Sequence, residues 1–423
     1  MIRHIFKIIW NERKSNGWLV LEYILVFCIL WFCCDYLYFI TKRLVEPLGY
    51  DIKYVYQLNM GMRFDKEFLA NFDEEAQPSP HDMTMQLIDR LKRYPGVENV
   101  SVSSCALPFE RGSSETSGPV MPGDSVHARA WMGYVSREFF EVFKTDILKG
   151  DISNWPDPAF PNQAFITSVP HEKFGNYNVF DLHVIFASPK PEDDSGYQVT
   201  GVAGKMKRFA YNAYIPAVLQ PIKYGHLDWG EVALRVSPGA DRGFAERFAK
   251  DMKDQLNLGR YFFSSIVPLS KYRYEYRGVG NDPIKDCKNV YIVSGFLLVN
   301  IFLGIIGTFW FRTQARRSEV GLRIAMGASK RKVKGMLITE SMLLLSISAL
   351  AGVIICLNIG QTDLTDMLGI PVPYRESYEM TPWNNVINFG ITFLFLAIVS
   401  IAGVWYPARR ASGVQPAEAL HDE

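Results

Sequence analysis

The sequence has almost no net charge and few residues in the patterns that carry catalysis. Its 45 basic and 44 acidic side chains leave a formal charge of +1 over 423 residues, so there is no global basic field for nucleic acid. With 21% charged and 14% aromatic residues it is too apolar for a disordered chain. Its six cysteines, Cys28, Cys33, Cys34, Cys105, Cys287 and Cys356, yield neither a zinc-type CxxC pair nor a disulfide framework. The adjacent Cys33 and Cys34 read as small hydrophobes. HExxH, GxSxG, kinase and Walker A signatures are absent, and the seven histidines are scattered. Gly201-Val-Ala-Gly-Lys205-Met206 has the wrong glycine spacing for a phosphate loop, with no Ser or Thr after the lysine, and reads as a strand end and turn. Nothing argues for catalysis, and no cofactor or metal is expected in this chain.

What the sequence does have is four long apolar runs: Trp18–Ile40, Val290–Phe311, Ile338–Ile359 and Val386–Tyr406. Each exceeds the roughly 20 residues at 1.5 Å rise that cross a hydrocarbon core about 30 Å thick. The first contains Glu22 and Asp35, read as end-of-span or bundle-facing carboxylates, with a proton or ion path as the alternative. It lacks the small-x-small site of a cleaved signal peptide. Gly295, Gly304 and Gly307, with Ala349, Ala351 and Gly352, let helices approach closely in lipid and suggest a bundle, which could span two subunits.

Lys and Arg set the orientation. Residues 1–17 carry Arg3, Lys7, Arg13 and Lys14, and residues 312–337 carry eight basic side chains against Glu319, so both are expected in the cytoplasm. Residues 360–385 carry four acids and only Arg375 and belong outside, and the 407–423 tail returns inside with Arg409 and Arg410. Ile2, Ile5, Phe6 and Ile9 recur at helical spacing, which suits a helix in the inner interface. Residues 41–289 then form one extracytoplasmic domain inserted after the first span, slightly acidic with 30 bases against 32 acids.

Within that domain Tyr54–Leu58 reads as a strand and His81–Tyr94 as an amphipathic helix with Met85, Leu87, Ile88 and Leu91 inward. After Pro95-Gly96 comes a strand over Val97–Val102. A second strand and helix follow at Val232–Val236 and Asp241–Leu256. Short β-type runs at Gln163–Thr167, His183–Phe186 and Gln198–Val202 fill a Gly-, Pro- and aromatic-rich middle, roughly 104–215. Two split βαβ-like halves around an insertion imply an α+β domain.

In the basic loop Glu319 and Arg323 form an i,i+4 pair in the favourable order, so 313–325 can be a short helix outside the lipid. Gly327 ends it, and Ser329 can cap a new helix that starts at Lys330 and enters the third span. Charge alone would be met by the positive-inside rule or by anionic lipid; the recapped helix points instead to a docking element.

On these residues the chain resembles the MacB/FtsX-type ABC transporter permeases, which include the lipoprotein-releasing permeases. Their loop pattern R-x-x-E-[IV]-G-[IL]-R-x-A-x-G-A is matched by Arg316, Glu319, Val320, Gly321, Leu322, Arg323, Ala325, Gly327 and Ala328. Their tail pattern is matched by Pro407–Ala411 and Pro416–Leu420, with Gln415 where a relative often has Asp. The segments YVSREFFEVFKTDILKGD and VALRVSPGAD resemble the family's periplasmic domain.

The resemblance implies a multi-pass protein of the bacterial inner membrane with both termini cytoplasmic. It implies a non-catalytic permease driven by a separate cytoplasmic ABC ATPase that binds ATP and Mg. Mechanotransmission would run through stalk extensions of the first two spans, and Glu319, Gly321, Arg323, Gly327 and Ala328 would form the ATPase-coupling element. Further implied partners are a second permease copy or paralogue, a periplasmic adaptor or outer-membrane component, and membrane lipid. Efflux or export of a lipoprotein, peptide or lipid-type substrate would follow. The rival is a membrane-anchored sensor or scaffold whose outer domain binds a ligand or regulates a cell-wall enzyme.

Overall fold

The computed structural model describes residues 13–66, 68, 72, 77–110, 115–117, 129–153, 155–156, 162–168, 183–184, 197–222, 230–275, 282–315, 317–359 and 381–413. The expected interfacial helix through Ile2 and Ile9, Arg316, the acidic loop up to residue 380 and the tail match at Pro416–Leu420 lie outside these residues. Two compact units emerge, one of residues 1–42, 285–375 and 379–423, the other of residues 43–284 with 376–378. The described helices are α1 (Arg13–Val45), α2 (Pro80–Lys92), α3 (Glu138–Val142), α4 (Phe244–Met252), α5 (Pro283–Ala315), α6 (Arg317–Ala325), α7 (Lys330–Ile359) and α8 (Pro382–Ala411).

Four of these, α1, α5, α7 and α8, are long and apolar enough to cross a membrane. At 30 to 33 residues they outrun the apolar stretches that mark them in the sequence. Their shared core is Leu19, Tyr23, Phe27 and Leu30 of α1 with Ile301, Ile305 and Phe309 of α5, Leu344 and Leu345 of α7, and Leu396 and Val404 of α8. Small residues make the close approaches: a Cβ at Gly352 would run into Phe27, and one at Gly403 into Ile305. Gly295 and Gly307, expected to do the same, have open space beside them. They face away from this chain's bundle because α5 turns only one narrow stripe inward.

The inserted unit is built on a mixed sheet in the order β11-β1-β10-β2-β4-β9-β6-β8-β5. The strands of its first half are β1 (Val55–Met62), β2 (Val97–Ser104), β10 (Glu231–Val236) and β11 (Tyr261–Pro268). β10 lies antiparallel between β1 and β2, and β1 lies antiparallel between β10 and β11. So β1-α2-β2 and β10-α4-β11 are two interlocked split βαβ units, as the sequence implied. Leu87, Ile88 and Leu91 of α2 and Phe244, Phe248 and Met252 of α4 cover one face with Val100, Val232, Leu234 and Phe263 beneath them.

Met85 is a correction: it is 41% exposed, and Met83, at 8%, takes its place in the core. Positions 83, 87 and 91 follow one another at i, i+4 and i+8, whereas Met85 falls about 200° round the helix from Met83. Helix α4 is shorter than the expected Asp241–Leu256. Gly243 takes a left-handed φ of +66° just before it, and Tyr56 Oη donates to the Asp241 carboxylate at 2.7 Å, holding that residue outside the helix.

The middle insertion continues the sheet. It supplies β3 (Glu115–Ser117), β4 (Arg129–Val135), β5 (Ile147–Lys149), β6 (Gln163–Thr167), β7 (His183–Val184), β8 (Tyr197–Ala203) and β9 (Ala217–Pro221). β4 joins the first half through Ser103 and Ser104 of β2, then runs parallel to β9. Gly201 to Ala203 lie in β8, which ends before Gly204, whose N–H donates to the Asp146 carbonyl at 2.7 Å; no turn forms there. A second core of Phe139, Phe140, Phe143, Trp155 and Phe165 gathers here with Met206 and Leu219.

Two buried cations fasten the segment that leaves α1 to this unit. Lys207 is fully buried, and its Nζ donates to the Arg43 carbonyl at 2.7 Å and pairs with Glu46 at 2.9 Å. Its backbone N–H donates to the Leu48 carbonyl, and its own carbonyl accepts from Tyr50 Oη at 2.6 Å. Gly49, at φ +85°, lies so close to the Lys205 carbonyl that a Cβ would collide with it. Tyr214 bonds the Pro47 carbonyl, and burial pushes its hydroxyl up to about 12. Arg235 of β10 donates to the Val142 carbonyl at 2.6 Å, to the Asp51 carbonyl at 3.0 Å and to the Lys53 carbonyl at 3.1 Å, while pairing with the Asp51 carboxylate at 3.2 Å.

Glu231, at the start of β10, closes the junction between the two halves. Its carboxylate accepts from the Leu107 N–H at 2.7 Å, the Ala106 N–H at 3.0 Å and the Ser103 hydroxyl at 3.1 Å. Desolvation outweighs these donors and raises its pKa above the ordinary carboxylate value. The folded state therefore holds this proton more tightly than the unfolded chain, so the group's contribution is fullest at low pH and declines as pH rises through the raised pKa. Melting the full chain in detergent from pH 4 to 8 should show a loss of stability with rising pH in the native protein that is smaller in Glu231→Gln. Parallel profiles would contradict this assignment.

Candidate functional site: helix α6 and the polar contacts of the bundle

Helix α6 begins directly after α5 and ends in a complete Schellman motif. The Ala328 N–H reaches back to the Arg323 carbonyl at 2.9 Å and the Gly327 N–H to the Ile324 carbonyl at 3.0 Å. Gly327 sits at φ +91°, which only glycine adopts without strain. Ser329 then caps α7, its hydroxyl accepting from the Lys332 N–H at 3.3 Å. Two residues, Ala328 and Ser329, thus separate the glycine cap of α6 from the start of α7.

Each sequence-assigned residue has a distinct place. Glu319 and Arg323 form the expected i,i+4 ion pair, and Arg323 also reaches Met336 on α7. Gly321 is buried beside the buried Val320, Gly327 is exposed, and Ala328 is half-buried. Leu322 and Met326 are 49% and 72% exposed, one turn apart on the face away from Val320. Their i,i+4 spacing is visible in the sequence, but their exposure is not.

The bundle contains polar contacts that link helices distant in sequence. Tyr23 Oη of α1 lies 2.7 Å from Ser400 Oγ of α8 and 3.3 Å from Ser341 Oγ of α7, and the two serine hydroxyls are 2.5 Å apart. Asn388 Nδ2 of α8 donates to Asp35 at 2.5 Å, and Tyr38 Oη donates to Asn384 of α8 at 3.4 Å. Arg312 at the end of α5 pairs with Glu340 of α7 at 3.4 Å, both side chains nearly buried. Asp35 is therefore bundle-facing, while the half-buried Glu22 carboxylate lies against Gly304 of α5. Buried hydrogen bonds of this kind are worth roughly 0.6 to 2 kcal/mol each between membrane helices. The arrangement is a bundle fixed by side-chain polar contacts, with a capped surface helix joined to it.

Gly327→Val should strain the left-handed position and loosen the cap. Hydrogen exchange on the full chain in detergent should show amides of 323–333 exchanging about five- to thirtyfold faster, given a cost of roughly 1–2 kcal/mol. Unchanged protection would show that the cap does not hold the loop.

Residues 291–416 match the family described as FtsX-like permease C-terminal. The chain is 26% identical over 137 residues to a macrolide export ATP-binding/permease protein MacB of Bradyrhizobium diazoefficiens, covering 31% of this chain and 19% of that protein. It is 30% identical over 122 residues to MacB of Brucella abortus, covering 29% and 17%. It is 26% identical over 121 residues to a pyoverdine export ATP-binding/permease protein PvdT of Pseudomonas syringae pv. tomato, again 29% and 17%. The match thus spans less than a fifth of the length of these relatives. Among solved structures, the periplasmic region of MacB from Actinobacillus actinomycetemcomitans aligns at 14% identity and a TM-score of 0.32, over 54% of this chain and 94% of that one. That likeness is too weak to argue from. The family match falls on the region that contains α6 and its recapped junction with α7, so it is this part of the chain that is similar to the FtsX-like permeases.

Proposed function

We propose that this chain is the membrane subunit of an export system in which ATP and Mg are bound by a separate ABC ATPase docking on α6. The observation that carries the reading is the geometry of α6. It offers an exposed apolar pair, Leu322 and Met326, flanked by the Glu319–Arg323 ion pair and joined to α7 by a capped two-residue junction. A force on α6 therefore passes directly to α7. The polar contacts of α7 with α1 and α8 would carry it across the bundle, which is the expected mechanotransmission. The names of the MacB and PvdT relatives place ATP binding and permease together, which supports an ATP-driven cycle. None of these 423 residues forms a Walker A motif, so the proposed nucleotide site lies outside them.

The basic content of α6 and the start of α7 supports a reading in which this side faces the cytoplasm of a bacterial inner membrane and the inserted domain the periplasm. The outward-facing apolar residues of α5, such as Ile292, Phe296 and Leu303, suit lipid or a second permease copy. A periplasmic adaptor or outer-membrane component would complete an efflux path. A sensor or scaffold would need the inserted domain but no docking helix.

Affinity purification of the full chain from native membranes should recover an ABC ATPase recognised by its Walker motifs. Leu322→Asp and Glu319→Lys should each lose it without losing the folded chain. Recovery by both variants, or no ATPase with the native loop, would reject the reading.

A further inference from the structure

The inserted domain contains an open cavity of about 830 Å3 beside the segment that leaves α1, within the usual range for small-molecule sites. Its wall is formed by residues 45–56 on one side and by Asp241 and the 268–274 stretch on the other. Val45 and Tyr274 line it while remaining 78% and 61% exposed, so apolar surface is open to solvent there. Tyr50 and Tyr54 add aromatic lining, and Tyr54 is held at φ +63°, an uncommon backbone state for a tyrosine.

The charges of this cavity are unevenly satisfied. Glu46 is paired with Lys207 at 2.9 Å, Asp51 with Arg235 at 3.2 Å, and Asp241 accepts from Tyr56 at 2.7 Å. All three lining carboxylates are therefore engaged by the domain itself. The two lining cations are not: Lys53 and Arg273 form no carboxylate ion pair among the described residues. Lys53 lies over the Tyr54 ring at 4.8 Å. Arg273 makes one long bond, 3.4 Å to the Leu44 carbonyl, and its Nε is buried without a hydrogen-bond partner among the described residues. A guanidinium with donors to spare and a second cation, set beside exposed apolar surface, match an anionic head group joined to an apolar body.

We infer that this cavity binds an anionic amphiphile, its phosphate or carboxylate head on Arg273 and Lys53 and its apolar part against Val45 and Tyr274. The inference rests on the export reading for its biological meaning only, because binding is measured without any ATPase. Its failure would leave the ATPase-recovery result untouched.

The test uses the full chain in phosphatidylcholine nanodiscs, titrated calorimetrically with dihexanoyl phosphatidylglycerol, dihexanoyl phosphatidylcholine and inorganic phosphate. The phosphatidylglycerol should bind at least about tenfold tighter than either of the others, as one charge-assisted contact implies. Arg273→Gln and the surface variant Lys53→Gln should each erase that preference, whereas Lys149→Gln, on exposed β5, should keep it. Equal binding of both lipids, equal binding of free phosphate, or a preference that survives in Lys53→Gln and in a folded Arg273→Gln would overturn the assignment.

Discussion

The structure depends most on a charge with no access to water. Lys207 is buried completely, and the Arg43 carbonyl, the Glu46 carboxylate and the face of the Tyr214 ring help replace its hydration. The penalty for misplacing Arg43 or Glu46 fixes the path of residues 43–50 where they leave α1. Arg235 does the same a few residues later, gathering three backbone carbonyls and Asp51 around one guanidinium. Removing either cation would leave several acceptors unpaired in a dry site. Residues 43–53 are thus held firmly against the inserted domain to which they belong.

The membrane unit follows the same logic with weaker bonds. Lipid offers helices no hydrophobic reason to prefer one another over acyl chains, so packing at Gly352 and Gly403 and the Tyr23, Ser341 and Ser400 hydroxyls supply the specificity. These contacts couple α1, α7 and α8, the last two of which lie in the family-matched region. The proposed role in export needs a bundle that holds together yet can exchange one packed arrangement for another. Hydroxyl contacts of modest strength fit that need better than a continuous apolar seam.

The sequence made the architecture legible wherever the signal was periodic or positional. Long apolar runs gave the four helices, and the 327–329 Gly-Ala-Ser punctuation gave the cap and recap around Gly327 and Ser329. The split βαβ halves followed from alternating runs and their turns. Other features were hidden because their partners are far apart in the chain. Nothing near Lys207 announces that Glu46 will neutralise it, and nothing in the basic loop distinguishes Arg312, which pairs with Glu340, from its basic neighbours. Met85 differs from the sequence expectation because a helix stripe is about 100° wide and the neighbouring Met83 fills it better. Leu322 and Met326 were in plain view, but exposure, which makes them informative, is a property of the fold.

The central claim is that nucleotide bound by a partner at α6 changes the geometry of the inserted domain. Spin labels at positions 45 and 274, both exposed and both lining the cavity, would report this within one domain. With the partner ATPase bound to the full chain in nanodiscs, pulsed electron resonance should give different 45–274 distance distributions with and without trapped ATP. Identical distributions in the two states, with ATPase binding confirmed, would contradict the account.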